Sequence, residues 1–357
     1  MLGEKALTTT ERFIISTGRA GSTLLSHMLA ENKRILSLSE FLGGVDNLDR
    51  FPAEPVTGER LARILDSADG MGVLTARRGL GLKEILFKEG GERWAPGRIP
   101  AIMLASLPFL DPENPEGLFD DMIAWAKAQP TRSIREQYLA LFQWLCDRFG
   151  KEGWIERAGA ALRYYDGMRR TFPNAKYVHI HRDGVAAAMS MREHNWFVWA
   201  AVYDEVPPTE AELREAIENP TDADPVTRLF KSKPPLEQFG RMWTRQIARG
   251  FREFIHLRPD QYLPVRFEDL QAHPEHELQR IGEFFELPDD PGWERRAADL
   301  IDTSLGQRPP NLPAEELERV RAAVLPGQLL LGREDPATLD EAFVVIRDAV
   351  KKYAPAD

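Results

Sequence analysis

At 357 residues, with 43% hydrophobic side chains and a formal charge of −10, the chain is long enough for one large α/β domain or two modest ones around a sizeable core. The acidic balance argues against a nucleic-acid surface and disfavours a heavily polyanionic acceptor, and no stretch is long and apolar enough to span a bilayer. The single cysteine, Cys146, excludes an internal disulfide and shares an apolar helical face with Phe142, Leu145 and Phe149, so it reads as core packing in a soluble, cytoplasmic protein.

Arg12 to Ile15 reads as a short buried strand, and Ser16 to Thr23 as a glycine-bracketed turn opening a helix that carries Leu24, Leu25, Met28 and Leu29 on one face. Gly18 and Gly21 permit a tight turn. The amides of Ala20, Gly21, Ser22 and Thr23 then lie at a helix N-terminus, where orphan donors and the macrodipole favour a bound phosphate. A Walker loop would carry a lysine before the hydroxyl residue; this chain has Arg19 inside the turn instead, a fork of donors suited to an oxyanion without a metal. An ordinary strand-to-helix turn is the plainer alternative.

Ile35 to Glu40 alternates as a second strand that delivers Glu40 at its C-terminal end, where ligands bind in open parallel sheets. Residues 42–150 read as a largely helical insertion or acceptor-site cover. Within it, Glu59 to Ala68 is a short helix, Leu118, Met122 and Trp125 mark one helical face, and Ser133 with Glu136 forms a capping box ahead of Tyr138 to Leu145. Met71 to Leu110 has no clear periodicity.

Trp154 to Arg157 and Tyr177 to Arg182 read as strands separated by a helix from Ala160 to Phe172, an alternation that predicts a parallel sheet with right-handed crossovers. His179 and His181 share a strand face but lack further ligands at metal-site spacing, so no metal is expected. Asp183 caps a helix through Val185, Met189 and Ser190. Residues 204–235 read as an irregular lid or linker. Beyond them lie an amphipathic helix from Leu236 to Phe254, a strand from Tyr262 to Phe267, a turn after Glu268 and Asp269, a helix carrying Leu278, Ile281 and Phe285, and tail helices at Ala314 to Val324 and Thr338 to Tyr353.

Three segments, in this order, resemble the sulfotransferase family, whose sulfuryl donor is 3'-phosphoadenosine 5'-phosphosulfate (PAPS). Gly18 to Thr23 is similar to its 5'-phosphosulfate loop. His181-Arg182-Asp183-Gly184, with Ser190 eight residues after Arg182, is similar to its 3'-phosphate motif, and Val265 to Leu270 to its Glu-Asp-Leu segment. The resemblance spans Arg12 to Leu287 and implies a single domain over 1–357 with a P-loop NTPase-like parallel sheet flanked by helices and interrupted by a helical insertion. It implies transfer from PAPS, as co-substrate, to a small-molecule or carrier-tethered hydroxyl by in-line attack. Gly18, Arg19, Ala20, Gly21, Ser22, Thr23, Arg182 and Ser190 would bind the donor. Glu40 resembles the general base of the tyrosylprotein branch, and Arg157 stands where relatives carry a lysine.

The cytosolic branch's histidine, two residues after that lysine, is absent, because the chain reads Arg157-Ala158-Gly159. His181 and His194 are the alternates to Glu40. Ser304 to Arg308 is a loose match to the family's C-terminal phosphate loop. A kinase-like nucleotide enzyme and a non-catalytic bisphosphate-binding module are the rival readings; neither acceptor identity nor oligomeric state is legible.

Overall fold

In a computed structural model of the chain, the residues described are 10–46, 49–68, 85–87, 93–94, 98–203, 225–301 and 311–334, with single positions between 209 and 221 and at 344. Five parallel strands form one sheet: β1 (Arg12–Ile15), β2 (Ile35–Ser39), β3 (Gly153–Ala158), β4 (Lys176–His181) and β5 (Tyr262–Arg266), in the order β2-β3-β1-β4-β5. Central β1 pairs Ile14 with Arg157 on one side and with Val178 on the other. The sheet therefore reverses its winding at β1, and ligand sites in such sheets gather at the strands' C-terminal ends beside that point.

The strands read as continuous apolar runs because helices cover both faces, yet a period of two still sorts them. Phe13, Trp154 and Tyr177 face the larger core, with the Phe13 ring 5.5 Å from Trp154 and 5.8 Å from Tyr177. Ile14, Ile155, Val178, Ile180 and Val265 face the smaller one. Each fully buried side chain of this size contributes about 1.5–3 kcal/mol relative to exposure. These two apolar layers hold the sheet edge that carries the site.

The helices that matter for position are α1 (Ser22–Ala30), α2 (Pro115–Lys127), α3 (Ile134–Phe149), α4 (Gly184–Arg192), α5 (Leu236–Phe254) and α6 (Ala314–Leu330). Sequence explains their ends. Asn114 caps α2, Ser133 and Glu136 form the expected capping box on α3, Gly150 closes α3 in the left-handed region, and the Asp183 carboxylate accepts from Ala186 N at 2.8 Å to start α4. Cys146 is buried on α3 as expected.

Several boundaries differ from expectation. A helix at Phe267–Ala272 begins directly after β5 instead of a turn, and the stretch from Ala160 to Phe172 divides into a 3₁₀ turn at Ala161–Arg163 and a helix at Tyr165–Thr171. Within 204–235, Pro225–Ser232 is helical. Helix α6 continues past Val324 to Leu330, through Pro326. The readings at Ser304 to Arg308 and Thr338 to Tyr353 lie outside the described residues.

Candidate functional site

The loop after β1 turns through three left-handed residues, Gly18 (φ 80°), Arg19 (φ 55°) and Gly21 (φ 85°), before α1 begins at Ser22. Successive amides in such a turn converge on a concavity that suits an anion. The two glycines are also fixed by close packing. A Cβ on Gly18 would lie 2.3 Å from Phe197 Cζ, and one on Gly21 would lie 2.1 Å from Phe267 Cδ2. Ser16 ties the loop to β3, donating from Oγ to Gly159 O at 2.5 Å and accepting from Gly18 N at 3.1 Å.

At the end of β2, Glu40 also has a positive φ of 56°, a conformation that is strained for a non-glycine residue and is commonly kept at functional positions. Its carboxylate accepts from the Arg157 guanidinium and from Gly159 N, at 3.0 Å to Oε1 and 3.1 Å to Oε2. Arg157, 4% exposed, also donates to Ser39 Oγ at 2.5 Å; Glu40, 34% exposed, faces the cavity. Oε1 is thus occupied by two donors, while Oε2 keeps a lone pair for a ligand.

That cavity, about 260 Å³, is lined by Gly18, Arg19, Ser22 and Thr23 of the loop and α1 and by Leu104, Tyr164, Trp196 and Phe197. Glu40 and Arg157 lie on the same wall. None of its described lining residues comes from α2 or α3, and the aromatic stripe from Leu118 to Phe149 packs into the larger core. The non-polar wall comes instead from residues 43–44, 85, 101, 104–105 and 196–197.

In the turn after β4 and on α4, Arg182 and Ser190 do not contact each other through a direct hydrogen bond. Ser190 Oγ accepts from Arg19 Nε at 3.0 Å, and the Arg182 guanidinium lies 5.1 Å from the centre of the Phe267 ring. Burial lowers the Arg182 pKa, Glu268 and Asp183 offset this, and Arg19 adds to the depression. An anion between Arg19 and Arg182 would relieve that repulsion. The turn from which Arg182 projects is held from the C-terminal side: Arg333 donates to His181 Nδ1 (2.9 Å), His181 O (3.1 Å) and Glu268 Oε2 (2.7 Å), while Glu268 Oε1 accepts from Asp183 N at 2.9 Å.

His181 is therefore removed as an alternate base. Its ring is buried and donated to by Arg333, and burial, then His179 and Arg333, push its pKa down to about 2. His179, which contacts Tyr262 Oη at 2.8 Å, is driven to about 3, chiefly by burial. His194 lines the same cavity as Glu40.

Sequence reading missed Glu156. It is fully buried beneath Glu40, accepts from Leu42 N at 3.0 Å, and burial raises its pKa to about 8, so it is protonated at neutral pH. Its signal was an acidic residue inside a strand, two positions after Trp154 on the same face. Arg333 lay beyond every motif, and only tertiary structure brings it to β4.

A donor with two separated anionic ends fits these residues. The left-handed loop and the N-terminus of α1 would take one end, and Arg182 with Ser190 the other. Residues 121–291 match the model of the sulfotransferase family. Among solved structures, the chain is similar to a sulfotransferase from Alicyclobacillus acidocaldarius (15% identity, TM-score 0.41, covering 92% of this chain and 98% of that one). It is similar, too, to the sulfotransferase domain of the Synechococcus PCC 7002 olefin synthase (18%, 0.39, 98% and 98%) and to that of the curacin biosynthetic pathway (14%, 0.43, 92% and 99%). No protein with a curated description matches the chain.

Proposed function

We propose that the chain, whose residues 121–291 match the model of the sulfotransferase family, is a sulfotransferase that moves a sulfuryl group from PAPS to an acceptor hydroxyl by in-line attack. The observation that carries the reading is the convergence, at one sheet edge, of an anion loop, a second cationic seat and a carboxylate with one oxygen open to the cavity.

Ala20 to Thr23 and Arg19 would hold the phosphosulfate end, and Arg182 with Ser190 the 3'-phosphate. Charge-assisted hydrogen bonds of this kind contribute about 1.5–3 kcal/mol each, enough to separate a 3'-phosphorylated nucleotide from ATP. Glu40 takes the proton of the attacking hydroxyl, which contributes about 10²- to 10⁴-fold in rate. Arg19 and Arg157 stabilise charge that builds on the leaving phosphate and the sulfuryl oxygens as the new oxygen–sulfur bond forms and the old one breaks. Arg157 also orients Glu40 by binding Oε1. The acceptor is a hydroxyl compound whose remaining body packs on Leu104, Trp196 and Phe197.

Labelled PAPS incubated with fractionated metabolites tests this. A sulfated product together with adenosine 3',5'-bisphosphate is expected. Magnesium-dependent ATP consumption would favour a kinase-like enzyme instead, and tight bisphosphate binding with no transfer to any fraction would favour a regulatory module.

A further inference from the structure

Between Glu40 and Tyr164 the fold leaves a gap at residue 43, which carries no side chain. A Cβ built on Gly43 would stand 3.0 Å from Glu40 Oε2 and 3.8 Å from the Tyr164 hydroxyl. That hydroxyl is buried and has no hydrogen-bond partner among the described residues, while Tyr164, Gly43 and Glu40 all line the cavity. A buried hydroxyl left unpaired costs a fold stability, which a ligand oxygen at that point would restore. The ring is held in place, with the Arg50 guanidinium 4.0 Å above its centre and Phe51 packed 6.1 Å away.

We propose that the acceptor's hydroxyl oxygen binds over Gly43, between Glu40 Oε2 and the Tyr164 hydroxyl, and that Tyr164 orients it for attack. This rests on the reading of Glu40 as base. Tyr164 donates to a lone pair of the acceptor oxygen, which turns that oxygen's own proton toward Glu40 Oε2. As the oxygen–sulfur bond forms, the proton passes to Glu40, and the bond from sulfur to the leaving phosphate breaks with its electron pair going to the phosphate. Tyr164 keeps its proton throughout; burial holds its phenol far above the ordinary range. A protonated amine has no lone pair to accept from Tyr164, so the arrangement selects hydroxyls over amines at neutral pH.

Water serves as the probe, because it is the smallest acceptor with the same donor and acceptor pattern. In a crystal structure of the protein with adenosine 3',5'-bisphosphate, an ordered water is expected over Gly43 within hydrogen-bond distance of both oxygens. Tyr164→Phe, which removes a single oxygen, should slow hydrolysis of PAPS about tenfold, the effect of one hydrogen bond near 1.4 kcal/mol. Gly43→Ala, whose methyl group fills the gap, should stop it. Bisphosphate affinity should be unchanged in both variants.

No water at that point, or a Tyr164 hydroxyl turned to a protein partner, overturns the inference even where wild-type hydrolysis is below detection. Wild-type hydrolysis in the Tyr164→Phe protein does the same, and it leaves the base assignment standing if Glu40→Gln is slow. Failure of the wild-type protein to bind the bisphosphate would instead strike the sulfotransfer reading, while the water position in a crystal structure of the protein alone would still decide the subsite.

Discussion

Glu40 owes its position to two neighbours, Arg157 on β3 and Gly159 just past it, and to a backbone conformation that few non-glycine residues adopt. Replacing it by Gln keeps the size and the acceptor oxygen for Gly159 N but removes the basic lone pair. Turnover should fall about 10²- to 10⁴-fold with the melting temperature and bisphosphate affinity close to wild type; unchanged turnover would shift the base role to His194. Beneath it, Glu156 makes a separate prediction. Its pKa, about 8 in the fold against 4.5 as its unperturbed value, means that the native state binds the extra proton. Stability is therefore lost as pH rises from about 4.5 to about 8, by up to about 1.4 kcal/mol per pH unit, and levels off above. Glu156→Gln removes this dependence. Urea unfolding of the two proteins from pH 5 to 8 should show the variant gaining on wild type across that range, and parallel curves would mean that Glu156 is ionised in the fold. Residue chemistry of this sort was half legible in the sequence. A carboxylate at a strand's end drew attention to Glu40, but its pairing with Arg157, 117 positions away, depends on the register that aligns Ser39 with Arg157.

The five strands and the long helices were legible because continuous apolar runs, caps and helical stripes act over a few residues. Contacts made after the elements pack were not. Ser190, paired with Arg182 only through a resemblance, also accepts from Arg19 Nε at 3.0 Å, a link between the β1 loop and α4 that no local pattern signals. The aromatic stripe on α2 and α3 carries no information about which side of a helix meets a ligand, and here it meets the core. Arg333, just past α6, fastens the β4–α4 turn through His181 and Glu268. Truncation to Ala would leave the Glu268 carboxylate without its cation and release the turn that carries Arg182. Unfolding free energy should drop by about 1.5–3 kcal/mol, with bisphosphate binding weakened and Arg333→Lys recovering part of both. Chemical denaturation and calorimetry check this; full stability in the Ala variant would mean that the turn is set by Asp183 and Gln328, whose side chains bond at 2.7 Å.

At the scale of the molecule, strand order makes one site from distant segments. With β1 central, the loop after it stands between the ends of β3 and β4, so Arg19, Arg157 and Arg182, far apart in sequence, meet at one edge of a chain whose formal charge is −10. An acidic protein that concentrates guanidiniums at one point attracts an anion there and nowhere broadly. A ligand touching both the β1 loop and the β4–α4 turn would also tie the two halves of the sheet. Binding only to the folded state adds about 2.7 kcal/mol of stability at a hundred times the dissociation constant. Adenosine 3',5'-bisphosphate should therefore raise the melting temperature by several degrees, and ATP with magnesium at the same concentration by far less. Removing the 3'-phosphate contacts with Arg182→Ala and Ser190→Ala together should erase the difference between the nucleotides without lowering the melting temperature of the free protein by a comparable amount. If ATP and the bisphosphate stabilise the wild-type protein equally, the second seat does not read a 3'-phosphate, and the assignment of PAPS as donor falls while the fold remains.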